Sequence, residues 1–151
     1  MKRILSVLAV FGLALAMVGC ATPQEETTTY VAESNGVTME LTYYHTGDNV
    51  TKQTANNKIP YTSIGVTNAE DAKAILDPVA VQYQNVAGIK HSVEYTDTEV
   101  IETLEIDYAT LDYDKAKTIP GITMDENAKN GVSLEKSEKL LLSQGYTKVT
   151  E

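Results

Sequence analysis

The chain has 151 residues, with 12 Lys and Arg against 21 Asp and Glu, and a formal net charge of −9. This length suits one domain of ordinary size. The acidic balance excludes a typical nucleic-acid binder, which needs clustered positive charge. A single cysteine, Cys20, excludes a disulfide framework and a cysteine-based zinc site.

The first 19 residues have the organisation of a secretory signal. Lys2 and Arg3 precede an uncharged, largely apolar run from Ile4 to Met17. That run is shorter than the roughly 20 residues that a membrane-spanning helix needs. A positive start, an apolar centre and small residues at the end are typical of a signal peptide. The alternative, a buried N-terminal helix, is disfavoured because no charge interrupts the run on any face.

The end of this segment resembles a bacterial lipoprotein signal, in which a small residue precedes an obligatory cysteine. The resemblance implies cleavage after Gly19 and a diacylglycerol thioether on the sulfur of Cys20. Because two or more acyl chains hold a protein stably on a bilayer, such an anchor is strong. We therefore expect an extracytoplasmic protein, attached to the bacterial cell membrane by the lipid on Cys20.

Removal of residues 1–19 would leave ten lysines, no arginine and 21 acids, a net charge of −11. Without arginine the mature chain has no planar fork for phosphate or carboxylate groups. The expected partner is therefore an envelope protein or a small uncharged or cationic ligand. With no Phe or Trp left, the nine tyrosines supply every aromatic ring.

The polar segment 21–29 has no apolar periodicity, and we predict that it forms a flexible tether behind lipidated Cys20. A single domain is then expected over residues 30–151. Strands at 30–33 and 37–45 flank Asn35-Gly36, a sequence typical of a tight hairpin. Residues 50–58, rich in Thr, Asn and Lys, predict a strand at an edge or on an exposed surface.

A helix is predicted after Asn68, which with Asp71 approximates a capping box. Its apolar stripe extends to Val86. Pro78 cannot donate a backbone hydrogen bond, and Asp77 before it can cap a helix, so we expect the helix to restart there.

The remaining elements complete the fold class. Strands are predicted at 90–96 and 99–108, and a last helix at 134–144 is capped by Ser133. Strands, helix, strands and helix in this order predict an α+β fold. We expect one antiparallel meander sheet with two or three helices packed on one face.

Short fragments along residues 30–151 resemble the YehR-like bacterial lipoproteins. The resemblance implies a small lipoprotein with an α+β domain and no assigned activity. Its fragments, in chain order, are Lys52-Gln53-Thr54-Ala55, Ile59-Pro60-Tyr61, Asp77-Pro78, Tyr83-Gln84, Ile119-Pro120-Gly121, Lys136-Ser137 and Ser143-Gln144-Gly145-Tyr146.

Few residues suggest chemistry. His45 and His91 could join a carboxylate at a metal, but His45 continues the parity of its strand's apolar face, so two buried or rim histidines are the alternative. Tyr44, on the opposite face, Tyr61, after Pro60, and His45 are candidate contacts for a ligand or partner. The alternative is that tyrosines fill the core.

No catalytic residue, metal site or cofactor is predicted. Acids at 112–114 and 125–126 lack the spacing of a calcium loop, and Ser133 with Lys136 fits a helix cap better than a nucleophile. The sequence therefore favours a non-catalytic binding domain at the cell envelope. An accessory enzyme, which would draw on His45, His91, Glu105 or Asp107, and a separate peptide role for the signal segment are the alternatives.

Overall fold

The structure, a computed structural model, describes residues 24–124 and 127–150. Seven antiparallel strands form one sheet, with three α-helices. The strands are β1 (Glu26–Ser34), β2 (Val37–Thr46), β3 (Asn49–Pro60), β4 (Ile89–Tyr95), β5 (Glu99–Asp107), β6 (Val132–Ser133) and β7 (Thr147–Lys148). The helices are α1 (Ala69–Ala80), α2 (Tyr113–Ala116) and α3 (Leu134–Ser143). The predicted α+β fold is confirmed.

The strand order across the sheet is β4-β5-β3-β2-β1-β7, and β6 pairs with the start of β3. A three-stranded meander, β1-β2-β3, therefore lies beside a hairpin, β4-β5. In the first turn of the meander, Asn35 and Gly36 both have positive φ, as the predicted tight turn requires. The chain leaves β3 through α1, reaches the far edge as β4, and returns as β5 between β4 and β3.

One face of the sheet is apolar and carries the helices. Its four hydrophobic clusters include Tyr30, Tyr43, Val100 and Ile106 from the strands and Leu141 from α3. The opposite face, which we call the open face, is polar. A row across five strands illustrates it: Thr29, Thr42, Thr54, Glu105 and Lys90 are successive cross-strand neighbours.

Two features of the sheet differ from the sequence prediction. The first strand begins at Glu26 rather than at Tyr30, because β-branched Thr27 to Thr29 continue the ladder opposite β2. Segment 50–58 lies in central β3, between β2 and β5, rather than at an edge. Its polar composition fits the other predicted alternative, an exposed surface, because alternate residues face the open side of the sheet, where Thr, Asn and Lys meet water.

The predicted restart at Pro78 is also wrong. Helix α1 passes through Pro78 and ends at Ala80, and a 3-10 turn covers Val81–Tyr83. Pro78 lies in the last turn, so only one lost backbone bond has to be tolerated. Asp77 does not cap a new helix, because its carboxylate accepts a hydrogen bond from the Tyr95 hydroxyl at 2.7 Å. Asn68 caps the start of α1 as predicted, accepting from the Asp71 N–H.

Helix α3 is capped from two sides. Ser133 accepts from the Lys136 N–H, as predicted, and Asp48 in the β2–β3 turn accepts from the Glu135 N–H at 2.8 Å. The backbone bond from Glu135 and then the Ser133 hydroxyl lower the pKa of Asp48. Asp48 therefore fastens the start of α3 to the sheet.

This cap predicts a loss of stability in acid. A carboxyl with a lowered folded-state pKa stabilises the fold above its unfolded value, about 3.9, and loses that contribution as pH falls through the folded value. Asp48→Asn keeps the acceptor oxygen but not the charge. We expect it to unfold more easily at neutral pH and to show a weaker loss of stability between about pH 5 and about pH 3. Urea titrations of both proteins at each pH measure this; equal acid dependence would contradict it.

Candidate functional site

A cavity lies between α3 and the sheet. It has a volume of about 330 Å³, at the lower end of the range for small-molecule pockets. We call it the α3 cavity. Its walls come from β2, β3, the chain after β5, the 3-10 turn Ala128–Asn130 and α3. The lining residues that matter below are Tyr43, Gln53, Tyr108, Lys136, Ser137 and Leu140.

The α3 cavity combines apolar walls with a few hydrogen-bonding groups. Leu140 and Met124 supply apolar surface, and Tyr108 donates its hydroxyl proton to Gln53 Oε1 at 2.8 Å. Burial raises the pKa of both Tyr43 and Tyr108 above the ordinary tyrosine value. Both hydroxyls are therefore protonated at neutral pH. Because Tyr108 already donates its proton to Gln53, its hydroxyl can only accept from a ligand, whereas the Tyr43 hydroxyl can donate or accept.

Charge at the cavity is nearly balanced. Lys136 lines it, and no ion pair joins this lysine to another described residue. Asp48, the cap of α3, is close enough to Lys136 to feel its charge. The arrangement suits an uncharged ligand with an apolar body and hydrogen-bonding substituents.

The open face is less suited to a small ligand. It contains a broader depression of about 430 Å³ between β2 and β4. Two pairs of its side chains already bond to each other: Ser92 Oγ lies 2.6 Å from Thr103 Oγ1, and Lys90 Nζ lies 2.7 Å from Glu105 Oε1. A ligand there would have to replace these interactions rather than fill unused ones.

The two tyrosines singled out by sequence have different environments. Tyr44 lies on the open face, half-buried, with Lys52 Nζ 3.9 Å from its ring centroid. It remains a candidate contact residue. Tyr61 is only 3% exposed and packs against Ala72 and Val100. Its hydroxyl donates to the Thr96 carbonyl, so Tyr61 fills the core, as the alternative interpretation held.

His45 is a core residue, with 5% of its surface exposed. A bulge at Tyr44 and His45 keeps this histidine paired with Val50 on the helix-covered side. Its Nδ1 donates to the Gly47 carbonyl and its Nε2 accepts from the Thr28 hydroxyl, both at 2.9 Å. With both nitrogens bonded within the protein, His45 has no atom left for a ligand.

His91 lies three strands away from His45, on β4. Its ring stacks on Tyr83 with centroids 4.1 Å apart, and its Nε2 lies 2.8 Å from Glu102 Oε1. Glu102 also accepts from the Asn57 amide. The adjoining space measures only about 80 Å³, too small for an ordinary substrate. The two histidines do not converge on one site.

The predicted acids have structural partners. Glu105 pairs with Lys90 on the open face, and Asp107 accepts from the Ala109 N–H. Asp112 caps α2, and Asp114 pairs with two lysines. In residues 24–124 and 127–150, no three His, Cys, Asp or Glu side chains cluster as a metal site would require. Gly19, Cys20, Asp125 and Glu126 lie outside the described residues.

The α3 cavity was missed by sequence reasoning. Its residues come from separate parts of the chain, and each has a local explanation: Tyr43 and Gln53 as strand residues, Lys136 and Ser137 as helix residues. The only available signal was the polar pair Lys136-Ser137 within an amphipathic helix.

Fold and site together describe a small α+β domain with one cavity beneath its last helix. The chain belongs to the DUF1307 family, proteins of unknown function, which it matches over residues 26–147. It is 41% identical over 151 residues to the uncharacterized lipoprotein Lmo0207 of Listeria monocytogenes, covering 100% of this chain and 98% of that protein. It is 33% identical to the uncharacterized lipoprotein YehR of Escherichia coli, covering 98% and 97%.

Solved structures agree with the fold. The NMR structure of E. coli YehR superposes with a TM-score of 0.74 at 34% identity, covering 84% of this chain and 92% of that one. An NMR structure of a protein from Streptococcus pneumoniae TIGR4 has a TM-score of 0.60 at 16% identity, covering 99% and 96%, and shows the fold alone. The resemblance to YehR-like lipoproteins is thus confirmed.

The lipoprotein relatives indicate a membrane-anchored location at the cell envelope. None of the helices within residues 24–124 and 127–150 has the length and apolar character that a bilayer crossing requires.

Proposed function

We propose that this protein is a non-catalytic binding lipoprotein, anchored outside the cytoplasm through lipidated Cys20, which holds a small uncharged ligand in the α3 cavity. The observation that carries the proposal is the cavity itself: about 330 Å³, with apolar walls and protonated tyrosine hydroxyls. Pockets of this character are the usual sites of small-molecule binding.

The anchor is proposed from the sequence. Cleavage after Gly19 would make Cys20 the first residue, and five residues would separate it from the start of β1 at Glu26. This short tether would keep the domain close to the membrane surface. The lipoprotein names of the relatives support this arrangement.

The ligand class follows from charge and shape. An anion would gain from Lys136, but Asp48 interacts with the same lysine, and the mature chain has a net charge of −11. A cation would meet Lys136 within the cavity. An uncharged molecule avoids both costs, and its apolar part can contact Leu140 and Met124 while its polar groups bond to Tyr43 or Ser137.

The anchor is tested by Cys20→Ser in the full chain, expressed in its own host. We expect the variant to leave the membrane fraction or to remain unprocessed, because no sulfur is available for acylation. Ala21→Ser, one residue later, is the control and should stay processed and membrane-bound. Processed, membrane-bound Cys20→Ser protein would contradict the proposal.

The site is tested by NMR on residues 21–151, titrated with the low-molecular-mass extract of the host. We expect amide shifts at Tyr43, Ser137 and Leu140. Ser137→Leu, which adds a side chain within the cavity, should abolish them, whereas Thr54→Leu on the open face should not. Shifts confined to the open face, or shifts that persist in Ser137→Leu, would contradict the α3 cavity as the site.

A further inference from the structure

Strand β4 forms an uncovered edge of the sheet. Its seven residues, Ile89–Tyr95, pair with β5 on one side, and no strand of the described chain pairs with the other side. The opposite edge of the sheet, β1, is partly covered by β7. The tether to Cys20 leaves from β1, so an anchor would not obstruct β4.

The backbone of β4 is oriented for pairing. The Gly88 carbonyl accepts from the Asp107 N–H at 2.8 Å, and the Thr96 N–H donates to the Glu99 carbonyl at 2.9 Å. Both bonds join β4 to β5, so the even-numbered residues of β4 direct their backbone N–H and C=O groups toward β5. Because successive residues alternate, His91, Val93 and Tyr95 direct their N–H and C=O groups away from β5, to the unpaired side of β4. Such a row is a template for another strand.

We propose that the occupant of this edge is β4 of a second copy, paired antiparallel about a two-fold axis through Ser92. The sequence Ile-Lys-His-Ser-Val-Glu-Tyr is self-complementary in that register. Lys90 of each copy then lies opposite Glu94 of the other, on the open face. His91 lies opposite Val93 and Ile89 opposite Tyr95 on the helix-covered face. An interface of this kind closes as a symmetric dimer.

Other registers fit less well. Only the register centred on Ser92 pairs all seven residues of both strands. A register centred on Lys90 or on Glu94 would place like charges directly opposite each other, which destabilises a strand pair. The two Lys90–Glu94 contacts therefore select the register, and the backbone bonds of His91 and Val93 provide the attachment.

The dimer would have a defined form. The two-fold axis is perpendicular to the sheet, so both open faces lie on the same side and both α3 cavities on the other. Lys90, whose side chain is 82% exposed, already pairs with Glu105, and Glu94 of the second copy would join this pair. This inference is independent of the ligand in the α3 cavity.

Charge reversal tests the register, using sedimentation equilibrium of residues 21–151, which contain the whole described fold. We expect a concentration-dependent dimer. Glu94→Lys alone and Lys90→Glu alone should each weaken it about tenfold or more, while a mixture of the two variants should form a heterodimer. Glu40→Lys, on the open face away from this edge, should not change it. A monomer at all concentrations, or an unchanged dimer in Glu94→Lys, would overturn the proposal.

A cross-link tests the axis directly. In residues 21–151, Ser92→Cys creates the only thiol. The two copies of residue 92 would form a non-hydrogen-bonded pair with Cα atoms about 4.5 Å apart, within reach of a disulfide. We expect rapid oxidation to a covalent dimer. Thr103→Cys, one strand further in, should form no covalent dimer under the same conditions. Equal cross-linking of both variants would overturn the proposal.

Discussion

Replacing Gly88 with alanine should unfold the domain or cost at least about 4 kcal/mol of unfolding free energy. Gly88 has φ +79, and an added Cβ would lie 2.5 Å from Leu111 Cα and 2.7 Å from the Asp107 carbonyl oxygen. Both contacts are with backbone, which cannot rotate away. The same glycine links two elements, since its own carbonyl accepts from the Asp107 N–H.

Gly47→Ala is the matched control for Gly88→Ala. Gly47 also has positive φ, +58, but nothing lies within 4 Å of an added Cβ. Gly47→Ala should therefore lower the free energy of unfolding only by the cost of a non-glycine residue at positive φ, about 1–2 kcal/mol. Urea unfolding followed by circular dichroism measures both variants. Similar losses of unfolding free energy in Gly88→Ala and Gly47→Ala would contradict this prediction, because they would show that steric contact at Gly88 is unimportant.

Two substitutions of Tyr30 should have very different effects. The residue is fully buried, and its ring meets that of Tyr43 edge-on with centroids 6.0 Å apart. Tyr30→Ala should therefore cost about 3–5 kcal/mol, the usual loss for a large aromatic core residue. Tyr30→Phe retains the ring and removes only the hydroxyl.

Within residues 24–124 and 127–150, no side chain or backbone group forms a hydrogen bond of good geometry with that hydroxyl. Burial, and then the nearby Glu138 carboxylate, raise the pKa of Tyr30 to about 12. Because a buried polar group without a partner is unfavourable, Tyr30→Phe should be neutral or slightly stabilising, within about 1 kcal/mol. Urea unfolding of Tyr30→Ala and Tyr30→Phe measures both changes in unfolding free energy. A loss in Tyr30→Phe as large as that in Tyr30→Ala would mean that the hydroxyl makes an essential bond.

Local patterns predicted most of the sheet. Period-two alternation in β2 placed Leu41 and Tyr43 on one face and Thr42 and Tyr44 on the other, as the structure has them. Asn35-Gly36 and Ser133 were read correctly because turns and caps depend on neighbouring residues. The polar composition of β3 predicted a strand at an edge or on an exposed surface. The strand is central, and its polar residues lie on the open face.

The candidate site depended on contacts distant in sequence. Asp48 caps a helix that begins 86 residues later, and Tyr108 reaches Gln53 across 55 residues. No local pattern signals such pairs. The helix at Pro78 could not be predicted locally either. Whether α1 tolerates one lost backbone bond near its end depends on packing, and the Asp77 carboxylate accepts a hydrogen bond from the distant Tyr95 hydroxyl instead of capping a new helix.

A native mass spectrum of residues 21–151, purified gently from the host of this protein, tests the binding function most directly. We expect one small organic adduct for each chain, retained by Thr54→Leu and lost in Ser137→Leu, with a mass that identifies the uncharged ligand. A spectrum without any adduct, or an adduct that survives in Ser137→Leu, would contradict the proposed binding in the α3 cavity.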